Sequence, residues 1–158
     1  MASGDVLMVK ATGLVSRLIR MVTGESINHV AMVLNQGHKG LFVVEMKEFH
    51  GWRMMPLSQW IEHNKRKEVL WGKTPCHMRG SSCFESYAMK QRARKYSYWT
   101  LVTVWISQFT GKKMPHKLVC STFVQKAWGN CGYEMKKGLA DPGDFLNSSV
   151  DINVVTRP

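Results

Sequence analysis

Cys120 stands where a helical pattern begins, after the loop Gly111 to Lys117 with its Pro115. The first turn of a helix has N–H groups without intrahelical partners and carries a partial positive charge. Both favour a thiolate over a thiol, and the thiolate is the nucleophile. The same N–H groups can receive the negative oxygen of a tetrahedral adduct. Such a cysteine needs an imidazole that takes its proton and later protonates the leaving group. His29 is the natural candidate, a lone polar ring between Ile27 and Ala31 on an otherwise apolar strand face. Glu45 has the same standing one strand later, sharing a face with Leu41 and Val43. A carboxylate on an apolar face needs a partner. In a hairpin carrying both, the two side chains can lie on adjacent strands of one face, letting Glu45 fix the ring's orientation and tautomer. Glu48 is a weaker competitor. Each residue alone also has an ordinary explanation: a small buried cysteine or a satisfied core histidine.

The elements that must position these groups can be read from periodicity. Val6-Leu7-Met8-Val9 is a short buried-strand pattern. A helix is expected over Thr12 to Val22, with Thr12 as its cap and Gly24 as its end. Ser26 to Leu34 alternates as a strand, Asn35 to Gly40 reads as a hairpin loop, and Leu41 to Lys47 as the return strand. Trp52 to Met55 and Glu68 to Trp71 complete a small sheet, with a helix starting at Pro56 between them. From Ser81 the character turns helical. Ser82-x-x-Glu85 is a capping-box pattern, Trp99 to Phe109 a buried helix, Leu118 to Trp128 the helix of Cys120, and Asp141-Pro142 the start of a short helix through Leu146. Strand, helix, antiparallel sheet and then helices, without internal repeat or linker, predict one α+β domain over residues 1–158.

Composition narrows the function class. With 44% apolar and 21% charged residues the chain is neither disordered nor low in complexity. The formal charge of +11 is spread over both halves and not held in a detachable tail. It suits a polyanionic partner (nucleic acid, an acidic membrane face or an anionic cell wall) or simply a well-solvated surface. Helix-turn-helix, zinc-finger and RNP signals are absent. The six tryptophans sit largely at core-like positions, so nucleic acid is an unfavoured partner. Cys76, Cys83, Cys120 and Cys131 form no CxxC pair, so neither a metal nor another cofactor is expected, and two or three reduced thiols of an intracellular protein are. No signal peptide opens the chain and its longest apolar stretch has about half the residues of a membrane span. A cytoplasmic product is therefore expected, one that could also ride in a virion or be released to the wall.

The chain resembles the circularly permuted branch of the NlpC-type, papain-like cysteine hydrolases, the YiiX/YebB-like group, related in layout to lecithin retinol acyltransferase. The resemblance rests on Gly4-Asp5-Val6-Leu7, Asn28 to Val33 (NHVAMV), Val44-Glu45-Met46 and Arg53-Met54-Met55-Pro56-Leu57. It continues through Tyr96-Ser97-Tyr98-Trp99, Cys120 to Val124 (CSTFV) and Pro142-Gly143-Asp144-Phe145. His before Cys is the order that permutation produces. The resemblance implies a permuted papain-like fold, with Cys120 as nucleophile, His29 as base and acid, and Glu45 orienting His29. It places Tyr96 or Tyr98 in the pocket wall, unless both merely pack, and Ser121 in support of the oxyanion. Thr122 departs from the acidic residue common at that position. His38, His50, His63, His77 and His116 have no place in the pattern, and His116, four residues before Cys120, is the histidine to test against His29.

The implied reaction is thiolate attack on a carbonyl through an acyl-enzyme. Amide hydrolysis in peptidoglycan stem peptides is the preferred expectation, in a setting that would suit a phage enzyme. Lipid-directed acyl transfer or ester hydrolysis with the same three residues is the alternative. A non-catalytic basic virion or nucleic-acid-binding module is the second. The sequence is silent on oligomeric state.

Overall fold

The structure, a computed structural model, describes residues 1–10, 27–47, 50–77, 79–92, 120–135 and 140–156. Six strands are described: β1 (Val6–Lys10), β2 (His29–Asn35), β3 (Leu41–Lys47), β4 (Gly51–Pro56), β5 (Glu68–Lys73) and β6 (Val150–Thr156). The described α-helices are α1 (Leu57–Asn64), α2 (Ser82–Lys90), α3 (Cys120–Asn130) and α4 (Asp144–Ser148). The strands form one sheet in the order β4-β3-β2-β1-β5-β6, every neighbouring pair antiparallel. The α+β architecture expected from the sequence is the one observed. The helices expected over 12–22 and 99–109 lie outside the described residues, as do Glu48, Tyr96, Tyr98 and His116.

Both faces of the sheet are covered. Val30, Met32, Leu34, Val44 and Met46 pack with Phe123, Val124 and Ala127 of α3 and Phe84 of α2. On the other face Ala31, Val33 and Val43 meet Trp60, with Leu57 and Ile61 beside it. Leu57, Trp60 and Ile61 are one helical stripe, which is why α1 lies flat there. Central β1, between β2 and β5, sends side chains into both layers, so its apolar run is continuous and not alternating.

The Gly4-Asp5 pair earns its place in this packing. Gly4 has φ +93°, and a Cβ there would lie 2.5 Å from the Phe84 ring, so only glycine fits. Its carbonyl accepts the Trp128 indole N–H at 2.9 Å, tying β1 to α3. Asp5 is buried and takes two bonds from Arg79, at 2.7 and 2.8 Å, one from the Trp71 indole at 3.1 Å and main-chain N–H bonds from Ala2 and Thr74.

Three details differ from expectation. The cap of α2 is Ser81, whose side chain accepts from the Cys83 N–H; Glu85 leaves the helix start and accepts from Gln36 Nε2 at 2.6 Å. A final strand, β6, was unforeseen: Val150, Ile152 and Val154 alternate but are exposed, so no core contact marks them. Cys83 and Cys131 are joined by a disulfide, not held as reduced thiols. They are 48 residues apart in sequence and meet only because the start of α2 packs on the end of α3. Cys76 and Cys120 are free.

Candidate active site

Cys120 is the first residue of α3 and is 7% exposed. A buried face of Phe123, Val124, Ala127 and Trp128 anchors the helix on the sheet, which fixes where its first turn points. Ser121 and Thr122, buried in the same turn, place their main-chain N–H groups among those a helix start leaves without intrahelical partners.

His29 opens β2 with a ring 13% exposed, and Glu45 lies near the end of β3 with its side chain 4% exposed. Antiparallel pairing with Met32 opposite Val44 sets His29 and Glu45 diagonally on one face. His29 Nε2 and Glu45 Oε2 are 2.7 Å apart. The Cys120 side chain lies on the same ring, near enough to help raise its pKa. Cys120 belongs to the core layer of α3, whereas Glu45 faces that of α1, so His29 links the two layers.

Glu45 is held from three sides. Its Oε2 also accepts the Trp60 indole N–H at 3.0 Å, and Oε1 is 3.8 Å from Arg53 Nε. Arg53 lies directly opposite Glu45 in the β3–β4 register. Burial alone would raise the Glu45 pKa; the hydrogen bond and charge of His29, the Trp60 bond and the charge of Lys47 instead lower it to about 2. Burial alone would likewise lower the His29 pKa. Hydrogen bonds to Cys120 and Glu45, with the charges of both, raise it to about 9. At neutral pH the imidazole is therefore protonated beside an ionised Glu45 carboxylate.

Of the residues singled out from the sequence, Cys120, His29 and Glu45 converge, and Ser121 adjoins them. His38 is in an exposed turn, His63 is on α1, and His77 packs against Gly132. Trp60 and Arg53 were missed as site residues. The signal for Arg53 was its place on the same strand face as Met55, which becomes meaningful only once the register sets it against Glu45. Trp60 carried no signal beyond an indole that must find an acceptor when buried.

A family profile describing permuted papain-like amidase enzymes, YaeF/YiiX, of the C92 family, matches residues 1–138. The chain belongs to that family. Among solved structures it is similar to the metalloprotein yiiX from Escherichia coli O157:H7, with a TM-score of 0.60 and 18% identity. That similarity covers 83% of this chain and 66% of the other, so the chain spans just under two thirds of its relative's length. At this identity the likeness concerns the fold. No curated protein matches the chain significantly. Among the described residues no group of three or more His, Cys, Asp or Glu side chains is disposed to hold a metal ion.

Proposed function

We propose that the chain is a thiol amidase in which Cys120 is the nucleophile, His29 the base and acid, and Glu45 the group that orients His29. The observation that carries this reading is the placement of His29: Nε2 is 2.7 Å from Glu45, and the Cys120 side chain is near enough to help raise the ring's pKa. An imidazolium in that position stabilises a thiolate beside it. Sγ bonds to the carbonyl carbon, and the negative oxygen is received by main-chain N–H groups of the first turn of α3. His29 gives its proton to the leaving nitrogen as the C–N bond breaks, leaving a thioester. Water then bonds to the thioester carbon, giving one proton to His29 while the C–S bond breaks. The acid loses its second proton to solvent, and the thiolate and imidazolium are restored.

The substrate we infer is an amide bond of a peptidoglycan stem peptide. A charge of +11 suits the anionic wall. The Cys83–Cys131 disulfide is of the kind that persists in oxidising surroundings, where that wall lies. A second reading, acyl cleavage or transfer on an acidic lipid surface, is favoured by the exposed Val150, Ile152 and Val154 on one edge strand.

Two experiments test these statements. Iodoacetamide should alkylate native Cys120 ahead of Cys76, with the preference lost in His29→Ala; equal labelling of the two would overturn the nucleophile assignment. Purified sacculi and acidic phospholipid vesicles, offered in parallel, should give stem-peptide fragments without lipid turnover. Lipid turnover alone would replace the first substrate with the second.

A further inference from the structure

Cys76, Cys83 and Cys131 meet at one place, where the start of α2 packs on the end of α3. Cys131 directly follows α3 and closes it. Tyr133 N–H reaches back to the Trp128 carbonyl at 2.9 Å, Gly132 N–H to that of Gly129 at 3.2 Å, and Gly132 takes φ +89°. That is a Schellman ending, with Cys131 at the C-cap. Cys131 is fully buried, and buried Cys76 donates its S–H to the Cys131 carbonyl. Cys83 differs. It is partly exposed and lies in the first turn of α2, two residues after the cap Ser81. The Asn130 side-chain amide donates to the Cys83 sulfur at 3.5 Å.

The two sulfurs of the Cys83–Cys131 bond therefore differ in chemistry. A disulfide is opened by a thiolate attacking a sulfur it can reach, and a sulfur that carries negative charge well departs faster. Cys83 is the sulfur open to a thiolate from solvent, whereas Cys131 is enclosed. The first turn of α2 and the Asn130 N–H both favour negative charge on Cys83. They stabilise the reduced pair relative to the bond. The bond also brackets the candidate nucleophile: its ends are 48 residues apart, and Cys120 lies between them at the opposite end of α3. Closing a loop of that length removes freedom from the unfolded chain. It does so in the segment that must deliver Cys120 to His29.

We propose that this junction is a thiol–disulfide exchange site, opened by an external dithiol at Cys83, and that its state sets how firmly the helix bearing Cys120 is held. One thiolate of the dithiol bonds to Cys83 Sγ as the Cys83–Cys131 bond breaks, and Cys131 leaves as a thiolate that takes a proton from solvent. The second thiol of the dithiol loses its proton to solvent and bonds to the first, and Cys83 departs as a thiolate. The protein bond is reduced and the dithiol is oxidised to its own disulfide, which by the reverse steps reseals the pair. In reducing surroundings α3 loses this tether and keeps its packing; oxidising surroundings restore it. Only the role of Cys120 as nucleophile rests on the proposed function; the exchange chemistry does not.

The test holds the native full chain in graded mixtures of reduced and oxidised dithiothreitol, traps thiols with iodoacetamide and maps them by peptide mass. Cys83 and Cys131 should become alkylated together, in one transition, while circular dichroism still reports a folded chain. Glutathione, a single thiol, should leave its adduct on Cys83. Asn130→Ala should move the transition about threefold towards more reductant. On reduction the melting temperature should fall by about 10 °C, and α3 amide hydrogens should exchange about tenfold faster. The double variant Cys83→Ser with Cys131→Ser should show both reduced values with or without dithiothreitol. A bond mapped between Cys76 and Cys131, an adduct on Cys131, resistance of the pair until the chain unfolds, or a melting temperature unmoved by reduction would each overturn the proposal. Absence of stem-peptide hydrolysis in both states would count against the proposed function alone, because none of these readouts uses it.

Discussion

Asp5 and Glu45 are two buried carboxylates on one sheet with the same kinds of neighbour, a tryptophan indole and an arginine, yet they are built to opposite ends. Asp5 faces Arg79, whose own pKa is raised further by the hydrogen bond from that pair, and its oxygens are saturated by five donors. Arg79, held above its ordinary value, keeps its charge near neutral pH. At Glu45 the arginine is held off at 3.8 Å and the short contact goes to a histidine instead. One carboxylate therefore locks the N-terminal segment to β5 and the loop beyond it, while the other holds a proton on a ring that can release it. The lesson is that burial of a carboxylate says little about its role until the partner's ability to titrate is known.

The largest effects should come from breaking the titratable pair's chemistry outright. Cys120→Ser and His29→Ala should each lower amide hydrolysis by roughly 10⁴-fold or more, measured as kcat/KM on a stem-peptide amide. Next comes the direct contrast. Glu45→Gln keeps the shape but removes the charge that holds the imidazolium, and should cost on the order of 10³-fold in kcat. Asp5→Asn should leave kcat near the parent value and lower stability in urea by about 2–3 kcal/mol, from weakened bonds to a charged partner that is partly exposed. If Asp5→Asn proves the more damaging to kcat, the division of roles between the two carboxylates is wrong.

The indoles permit a finer version. Trp60→Phe deletes the N–H bonded to Glu45 and keeps the ring, so kcat should fall about fivefold, roughly 1 kcal/mol. Trp71→Phe deletes the matching bond to Asp5 and should appear as a similar loss of stability with kcat unchanged. The smallest signal is the dependence of stability on pH. Glu45 is lowered to about 2, so its contribution is whole above the ordinary 4.5 and fades as pH falls towards 2. His29 is raised to about 9, so its contribution is whole below the ordinary 6.5 and fades as pH rises through 9. Stability should therefore decline between pH 6.5 and 9, and His29→Ala should flatten that decline. Asp5→Asn should not, since Arg79 stays protonated throughout.

Much of this was legible in the sequence because strands advertise their faces. The alternation in Ser26 to Leu34 and Leu41 to Lys47 allowed His29 and Glu45 to share one face, and the register of the structure sets them there with a diagonal offset. What was hidden depends on folding. Arg53 and Trp60 reach Glu45 across a register and across a layer, and neither distance is written in local periodicity. The disulfide was hidden for the same reason, its two thiols being brought together by packing of two helices. Strand β6 escaped because its apolar residues face outward, where burial leaves no pattern to read.

The sheet order carries a consequence for how the molecule comes into being. His29 and Glu45 sit on a hairpin and are 16 residues apart, so they can meet as soon as two adjacent strands pair. Strand β1 needs β5 to complete its pairing, and Cys120 must come from a helix formed far later in the chain. Contacts between distant segments form slowly because long loops must close first. The His29–Glu45 pair thus depends on a local hairpin, and the approach of Cys120 on a long-range contact. On the proposed reading, Cys120 gains its imidazole partner only once α3 has docked on the sheet.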